Sequence, residues 1–177
     1  DRNPFDSVDP ASRTREYSWA APPEDPARRV HAGLDSLEEV IRGERHLSPA
    51  AHSLGVRLTS AEEGAVTMTA TPAEWALNNG GTVHGGIVSG WVDSALGYAT
   101  ATVVEPGTGY NTVDLTVRYL RALLLERTPA TIRAEVEHVG RSTCVVQVKV
   151  TDTDGHTCAS AWIDSIGTWN ICDADAS

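Results

Sequence analysis

Two stretches of the chain place apolar residues at helical spacing, and from Val66 onward the rest alternates apolar with polar positions. In the first stretch Val30, Leu34, Leu37, Val40 and Ile41 share one face, with Glu38 and Glu39 opposite, which predicts an amphipathic helix ended by Gly43. Ser48-Pro49 then opens a connection that carries one more turn through Ala50 to Leu54. Period-two alternation follows. Val66, Met68 and Ala70 oppose Thr67 and Thr69; Val113, Leu115, Val117 and Tyr119 oppose Thr112, Asp114, Thr116 and Arg118. Ile132, Ala134 and Val136 oppose Arg133, Glu135 and Glu137, and Cys144, Val146, Val148 and Val150 oppose Gln147 and Lys149. Such strands are half-buried and fit an antiparallel sheet with two unlike faces.

Gly140-Arg141 and Asp154-Gly155 fall where two-residue hairpin turns would join the last three strands into a meander. If Thr153 pairs with His156, Cys144 lies opposite Ser165 and Cys158 opposite Thr151, too far apart for a bridge across the hairpin. The break in the alternation runs from Gly85 to about Thr102, where Ile87, Val88, Trp91, Val92, Ala95, Leu96 and Ala99 cover most of a helix surface. That helix has to be buried. The expected fold is therefore α+β: two strands and a peripheral helix, one long central helix, then four strands, the sheet wrapping around the helix. Residues 1–26, rich in Pro, Asp, Ser and Arg, are expected to form an extended arm in which Tyr17 and Trp19 dock loosely. A single domain over 27–169 and a tail over 170–177 complete the division.

Composition narrows the function. The formal net charge is -10, from 24 acidic and 14 basic residues, which argues against nucleic acid and against an anionic membrane surface. A few local Arg residues can still hold the phosphates of coenzyme A against that field. No run of about 18 apolar residues is present, and no apolar block resembling a signal peptide lies in the first 26 residues, so a cytoplasmic protein is expected. Cys144, Cys158 and Cys172 form no CxxC, and the six His show no ligand spacing with them, so neither a disulfide framework nor a metal site is expected.

On the central helix Gly86, Gly90, Asp93 and Gly97 share one stripe. Each helical glycine costs about 1 kcal/mol relative to alanine, so something approaches this face: a backbone, a subunit or a ligand. Tight packing on the sheet would explain the glycines equally well, but a carboxylate amid apolar neighbours is expensive unless paired or opening onto a polar cavity. Asp93 is thereby a functional candidate. Just before it, Asn78-Asn79-Gly80-Gly81-Thr82-Val83-His84-Gly85-Gly86 delivers backbone N–H groups at a helix N-terminus, where developing negative charge is stabilised.

These residues together resemble the hotdog-fold thioesterases of the phenylacetate-degradation type, over about Leu34 to Thr168. The resemblance rests on Asn78, on Gly-Thr-Val-His84-Gly85-Gly86, on Asp93 in Val-Asp-Ser-Ala-Leu-Gly-Tyr-Ala, on Asn111 to Thr116 and on Gly140-Arg141-Ser142. It implies an acyl-CoA thioesterase whose site is shared between two chains. The Gly85 N–H would polarise the thioester carbonyl, and Asp93 of the partner subunit would act as nucleophile or as general base on water. Asn78 would hold that water or the carboxylate, Thr112 stands where relatives place a Ser that positions the water, and His84 orients the loop rather than serving as the base. Arg141, Ser142, and Arg118 or Arg121 are candidates for the coenzyme A phosphates; Trp75, Trp91 and Trp162 are candidates for an acyl pocket, with core packing the default for Trp on buried elements. No cofactor is implied beyond the coenzyme A of the substrate. The family implies a homodimer at least, and a homotetramer in many members. A non-catalytic acyl-CoA sensor and an acyl-CoA hydratase or dehydratase are the competing readings.

Overall fold

The computed structural model describes residues 13–19, 21, 33–105 and 108–170, with side chains through residue 165. Val30, Cys172 and most of the expected arm and tail lie outside the described residues. Helix α1 (Leu34–Arg42) buries Leu37 and ends at Gly43, which takes the left-handed conformation at φ 77 that closes a helix without a Cβ clash. Ser48 caps α2 (Pro49–Ser53), its side chain accepting from the Ala51 N–H, with Pro49 in the first turn where a missing N–H costs nothing.

Six antiparallel strands form one sheet: β1 (Val56–Glu62), β2 (Ala65–Ala70), β3 (Thr108–Tyr119), β4 (Ala130–Val139), β5 (Thr143–Thr151) and β6 (Thr157–Asn170). Their spatial order is β1-β2-β4-β5-β6-β3, which leaves β1 and β3 at the edges. Helix α3 (Gly85–Ala101) lies across the inner face. Its Val88, Trp91, Val92, Ala95, Leu96 and Ala99 join Val66, Met68, Ile132, Ala134, Val146, Val148, Ala161 and Ile163 in one buried core. Trp91, with no exposed surface, donates its indole N–H to the Leu54 carbonyl at 2.9 Å, tying α3 to the end of α2. Gly90 lies under Leu54: a Cβ there would stand 2.8 Å from a Leu54 methyl, so this glycine in the stripe admits a side chain of its own chain.

Two register details differ from the alternation read in sequence. In β3 the pairing with β6 shifts between Thr112 and Asp114, so Val113 is a bulge residue. Thr112, opposite Ser165, thus faces the helix side with Leu115, opposite Ile163, rather than the outer face with Asp114 and Thr116. In the last hairpin the turn closes at Asp152, whose N–H donates to the His156 carbonyl, not at Thr153. A shift between Val150 and Thr151 then restores the expected register, so Cys144 does pair with Ser165, while Thr151 pairs with Thr157 and Cys158 is the extra residue. Cys144 and Cys158 are free, buried thiols whose pKa values burial raises. The β4–β5 turn has the expected two residues but sits one position later: Val139 pairs with Cys144 and the Gly140 N–H donates to the Thr143 carbonyl, which leaves Arg141-Ser142 rather than Gly140-Arg141 at the tip.

β3 is also barer than a half-buried strand should be. Val113 and Tyr119 are each 54% exposed and Leu115 38%, on a strand that pairs with β6 on one side and with no strand of the described residues on the other. The Arg13–Trp19 segment has neither helix nor strand, and is held by Arg15, which stacks 3.4 Å above the Trp75 ring and donates to the Ser53 carbonyl. Tyr17 and Trp19 stay exposed. No helix among the described residues is long and apolar enough to cross a membrane.

Candidate active site

The start of α3 has four amides with no partner inside the helix, and three of them are satisfied by His84. As N-cap, His84 accepts the Gly86 N–H on Nδ1 at 2.9 Å. Its carbonyl accepts from Ile87 (2.9 Å) and Val88 (3.2 Å). The remaining first-turn amide, Gly85 N–H, has no hydrogen-bond partner among the described residues. His84 thus holds the first turn of α3 through both its ring and its carbonyl.

The loop before it is shaped by Asn78. Its Oδ1 accepts from the N–H groups of Gly80 (2.8 Å) and Thr82 (3.2 Å), and its Nδ2 donates to Thr82 Oγ1 (2.9 Å). One amide hydrogen of Asn78 is left over. A single bridge between Leu77 and Val83 closes the loop, and a bond from the Val83 N–H to the Leu123 carbonyl fastens it to the segment between β3 and β4. Beside it opens a cavity of about 400 Å³ bounded by Asn78, Gly85, Val88, Tyr119, Arg121 and Leu123. A second recess is lined by the loop itself, with Asn78, Thr82 and His84 among its walls.

Asp93 is exposed on the open stripe of α3, and Thr112 Oγ1 donates to its Oδ1 at 2.7 Å. The Val113 bulge makes this contact possible by turning Thr112 toward the helix. Along the same helix Gly85 and Asp93 stand eight residues apart, about 12 Å at 1.5 Å per residue. The two groups of one chain therefore cannot reach the same carbonyl carbon.

The other expected residues separate into distinct places. Arg121 lines the cavity at Gly85, whereas Arg118 pairs across from Ser160 on the outer face of the sheet. Arg141 and Ser142 are exposed in the β4–β5 turn, at the end of the sheet that holds Thr112. The three tryptophans do not form one acyl pocket. Trp91 is core, Trp75 carries the Arg15 stack, and Trp162, 41% exposed, lies on the outer sheet face opposite Thr116. Sequence reasoning missed Tyr119 as a site residue. Its hydroxyl donates to the Gly85 carbonyl at 2.8 Å and lies 2.6 Å from Ser89 Oγ.

A second polar cluster lies at the β5–β6 turn. Ligand atoms of Asp152, Asp154 and His156 lie within 4.8 Å of one another. Arg127 already supplies a cation there, 3.6 Å from Asp152 and 3.7 Å from Asp154, so the cluster reads as an ion-paired turn.

Similarity to known proteins decides the family. A family model described as the thioesterase superfamily matches residues 80–159, the span holding the Gly85 loop, α3 and β3. A Saccharolobus solfataricus protein named "Putative esterase SSO2140" is 30% identical over 148 residues, covering 84% of this chain and 94% of that one. The chain belongs to the thioesterase superfamily. Among solved structures, a hypothetical thioesterase of Streptococcus pneumoniae with coenzyme A is 27% identical, with a TM-score of 0.61 over 67% of this chain and 91% of that one. The PaaI protein of the E. coli phenylacetic acid degradation operon, 22% identical, has a TM-score of 0.67 over 77% and 96% of the two chains, which shows a common fold. The sheet around α3 is thus the hotdog fold of the PaaI-like thioesterases, and this thioesterase is a thioester hydrolase.

Proposed function

We propose that this thioesterase hydrolyses an acyl-CoA to the free acid and coenzyme A in a site built by two copies of the chain. The observation that carries this reading is the pair of unfinished groups on α3: a Gly85 N–H without a partner and an exposed Asp93, about 12 Å apart along one helix. The Gly85 amide, reinforced by the positive end of α3, polarises the thioester carbonyl and stabilises the oxyanion. Asp93 of the partner subunit takes a proton from water as the oxygen attacks the carbonyl carbon, and the C–S bond then breaks, releasing the free acid and the thiolate; alternatively Asp93 attacks that carbon itself, the thiolate leaves, and water hydrolyses the resulting mixed anhydride to the free acid and the regenerated carboxylate. Thr112 orients this carboxylate through the 2.7 Å bond, and the spare amide hydrogen of Asn78 is available to the water or to the carboxylate.

The bare edge of β3 supports the second copy. A twelve-residue edge strand with exposed Val113, Leu115 and Tyr119 is an aggregation hazard unless another strand covers it, and two-fold antiparallel pairing of β3 with itself would cover it. β3 runs beside the open stripe, with Tyr119 at the Gly85 end and Thr112 at the Asp93 end, so the same two-fold brings the Asp93 end of one chain toward the Gly85 end of the other. Trp162 on the outer sheet face is the large side chain best placed for joining dimers into a tetramer.

The coenzyme A bound in the Streptococcus pneumoniae structure supports coenzyme A as the thiol portion here. Arg121 is the cavity's own candidate for its phosphates, with Arg141 and Ser142 reaching it from the partner's side; Arg118, on the outer face, is the poorest placed of the four. A cytoplasmic setting suits such a substrate. A hydratase would need a histidine free to act as base, and Nδ1 of His84 is spent on the Gly86 amide. The reading is tested by following thiol release from a panel of aliphatic and aryl acyl-CoAs. Release supports it; binding without turnover across the panel points to a sensor, and hydration of an enoyl-CoA without thiol release to a hydratase.

A further inference from the structure

Tyr119 ends an edge strand and is 54% exposed, so its ring gains little from core burial, yet it makes two short hydrogen bonds at the one place where α3 has a spare amide. The phenol has a single hydrogen, which goes to the Gly85 carbonyl at 2.8 Å. Ser89 Oγ, 2.6 Å away, therefore donates to the phenol oxygen. Ser89 to Tyr119 to Gly85 is a directed chain that clamps the carbonyl side of Gly85. The ring does the rest. A Cβ built on Gly85 would meet Cζ of Tyr119 at 3.1 Å, the hydroxyl oxygen at 3.2 Å and Cε1 at 3.4 Å, closer than a methyl group tolerates without displacing the ring. An alanine at this position would push the Tyr119 ring aside by a few tenths of an ångström.

The same side chain bounds the 400 Å³ cavity with Asn78, Val88, Arg121 and Leu123, so the clamp on Gly85 is also a wall of the space the thioester would enter. We infer that Tyr119 is a positioning residue for the hydrolysis: with Ser89 it pins the Gly85 carbonyl and packs against the Gly85 Cα, so that the residue whose N–H lies in the preceding peptide plane, held by the His84 carbonyl, keeps its place, and its ring sets the width of the slot beside that amide. This rests on the thioesterase reading given above. A donor in a preorganised site acts through its direction, so loosening it lowers turnover more than substrate binding.

The test compares wild type, Tyr119→Phe and Tyr119→Ala in steady-state thiol release from the best acyl-CoA of the panel, with melting temperatures measured alongside. Tyr119→Phe keeps the wall and loses the hydroxyl: kcat is expected to fall roughly 5- to 20-fold, with KM within about twofold and melting temperature nearly unchanged. Tyr119→Ala opens the slot, and KM rises as well. Gly85→Ala supplies a readout that a merely structural tyrosine would not move: its cost in kcat should shrink in the Tyr119→Ala background, because the clash is gone. If wild type turns over and Tyr119→Phe matches it in kcat, the inference fails while the thioesterase reading stands. If Tyr119→Phe loses rate only in step with lost folded protein, the inference also fails. If wild type releases no thiol from any acyl-CoA, the reading itself fails and takes this inference with it.

Discussion

Asp152 and Asp93 are carboxylates in opposite circumstances. Asp152 is 4% exposed; its Oδ1 accepts the Asp154 and His156 N–H groups at 3.0 and 2.9 Å, and its Oδ2 faces Arg127 and His156. Burial acts to raise its pKa, but the two backbone N–H groups and His156 outweigh it and hold the carboxyl below its usual range. Asp93 is exposed and has one hydrogen bond, from Thr112, and no ion pair among the described residues. A carboxylate has about four acceptor positions. Asp152 spends Oδ1 on two backbone N–H groups that hold a turn, while its buried Oδ2 faces Arg127 and His156 without a hydrogen bond; Asp93 keeps most of its capacity for something outside the chain. The contrast separates a carboxylate that stabilises a fold from one that a reaction can use.

The largest effect expected from this contrast is on rate. Asp93→Asn should lower kcat by roughly 10²- to 10⁴-fold while leaving the melting temperature nearly unchanged, as thiol release and thermal unfolding will show. A mutant that unfolds would place Asp93 with Asp152 instead. Next comes assembly: Leu115→Asp puts a charge on the bare β3 edge, and sedimentation should show monomers with native circular dichroism and little activity. Retained dimers would remove β3 as the interface.

Asp152→Ala should do the reverse of Asp93→Asn, lowering the melting temperature by roughly 5 °C or more while each folded molecule keeps its rate. Its sign with pH is fixed by a lowered folded pKa: the contribution is present above the unfolded value of about 4 and is lost as pH falls through the folded one. The difference between wild type and Asp152→Ala should therefore shrink in acid. The smallest effect is alkaline. Burial raises the pKa values of Cys144, Cys158, Tyr98 and Tyr110, so the unfolded chain loses these protons first and stability declines as pH rises from about 9. A melting temperature flat to pH 10.5 would contradict that ordering.

How much of this was legible in the sequence depended on periodicity. α3 and the β4–β6 meander were readable because long apolar patterns persist through small local changes, and Cys144 opposite Ser165 survived an error of one residue at the turn because the extra Cys158 absorbed it. The bulge at Val113 was not readable: alternation continues through it unbroken in the sequence, while the backbone turns Thr112 to the other face. Asp93 stood out as a charge in an apolar helix, and Gly85 as the start of that helix. Tyr119 did not, because an aromatic in a strand carries no mark of the helix end it will meet. Core packing was the default reading for the tryptophans and holds for Trp91, while Trp75 and Trp162 show that a large apolar side chain does not reveal which surface it lines.

Everything turns on whether the Gly85 amide of one chain works with Asp93 of the partner subunit. Gly85 is the first helical residue and follows an extended His84, a place where proline fits the backbone, so Gly85→Pro deletes the N–H, and Gly85→Ala, which keeps it, controls for the contact with Tyr119. The decisive measurement mixes inactive Gly85→Pro and Asp93→Asn chains, unfolds and refolds them together, and assays thiol release once mass spectrometry shows hybrid dimers. A shared site predicts recovery toward about a quarter of wild-type activity, since half the dimers are hybrids and each has one intact site. Hybrid dimers no more active than their two parents would contradict it.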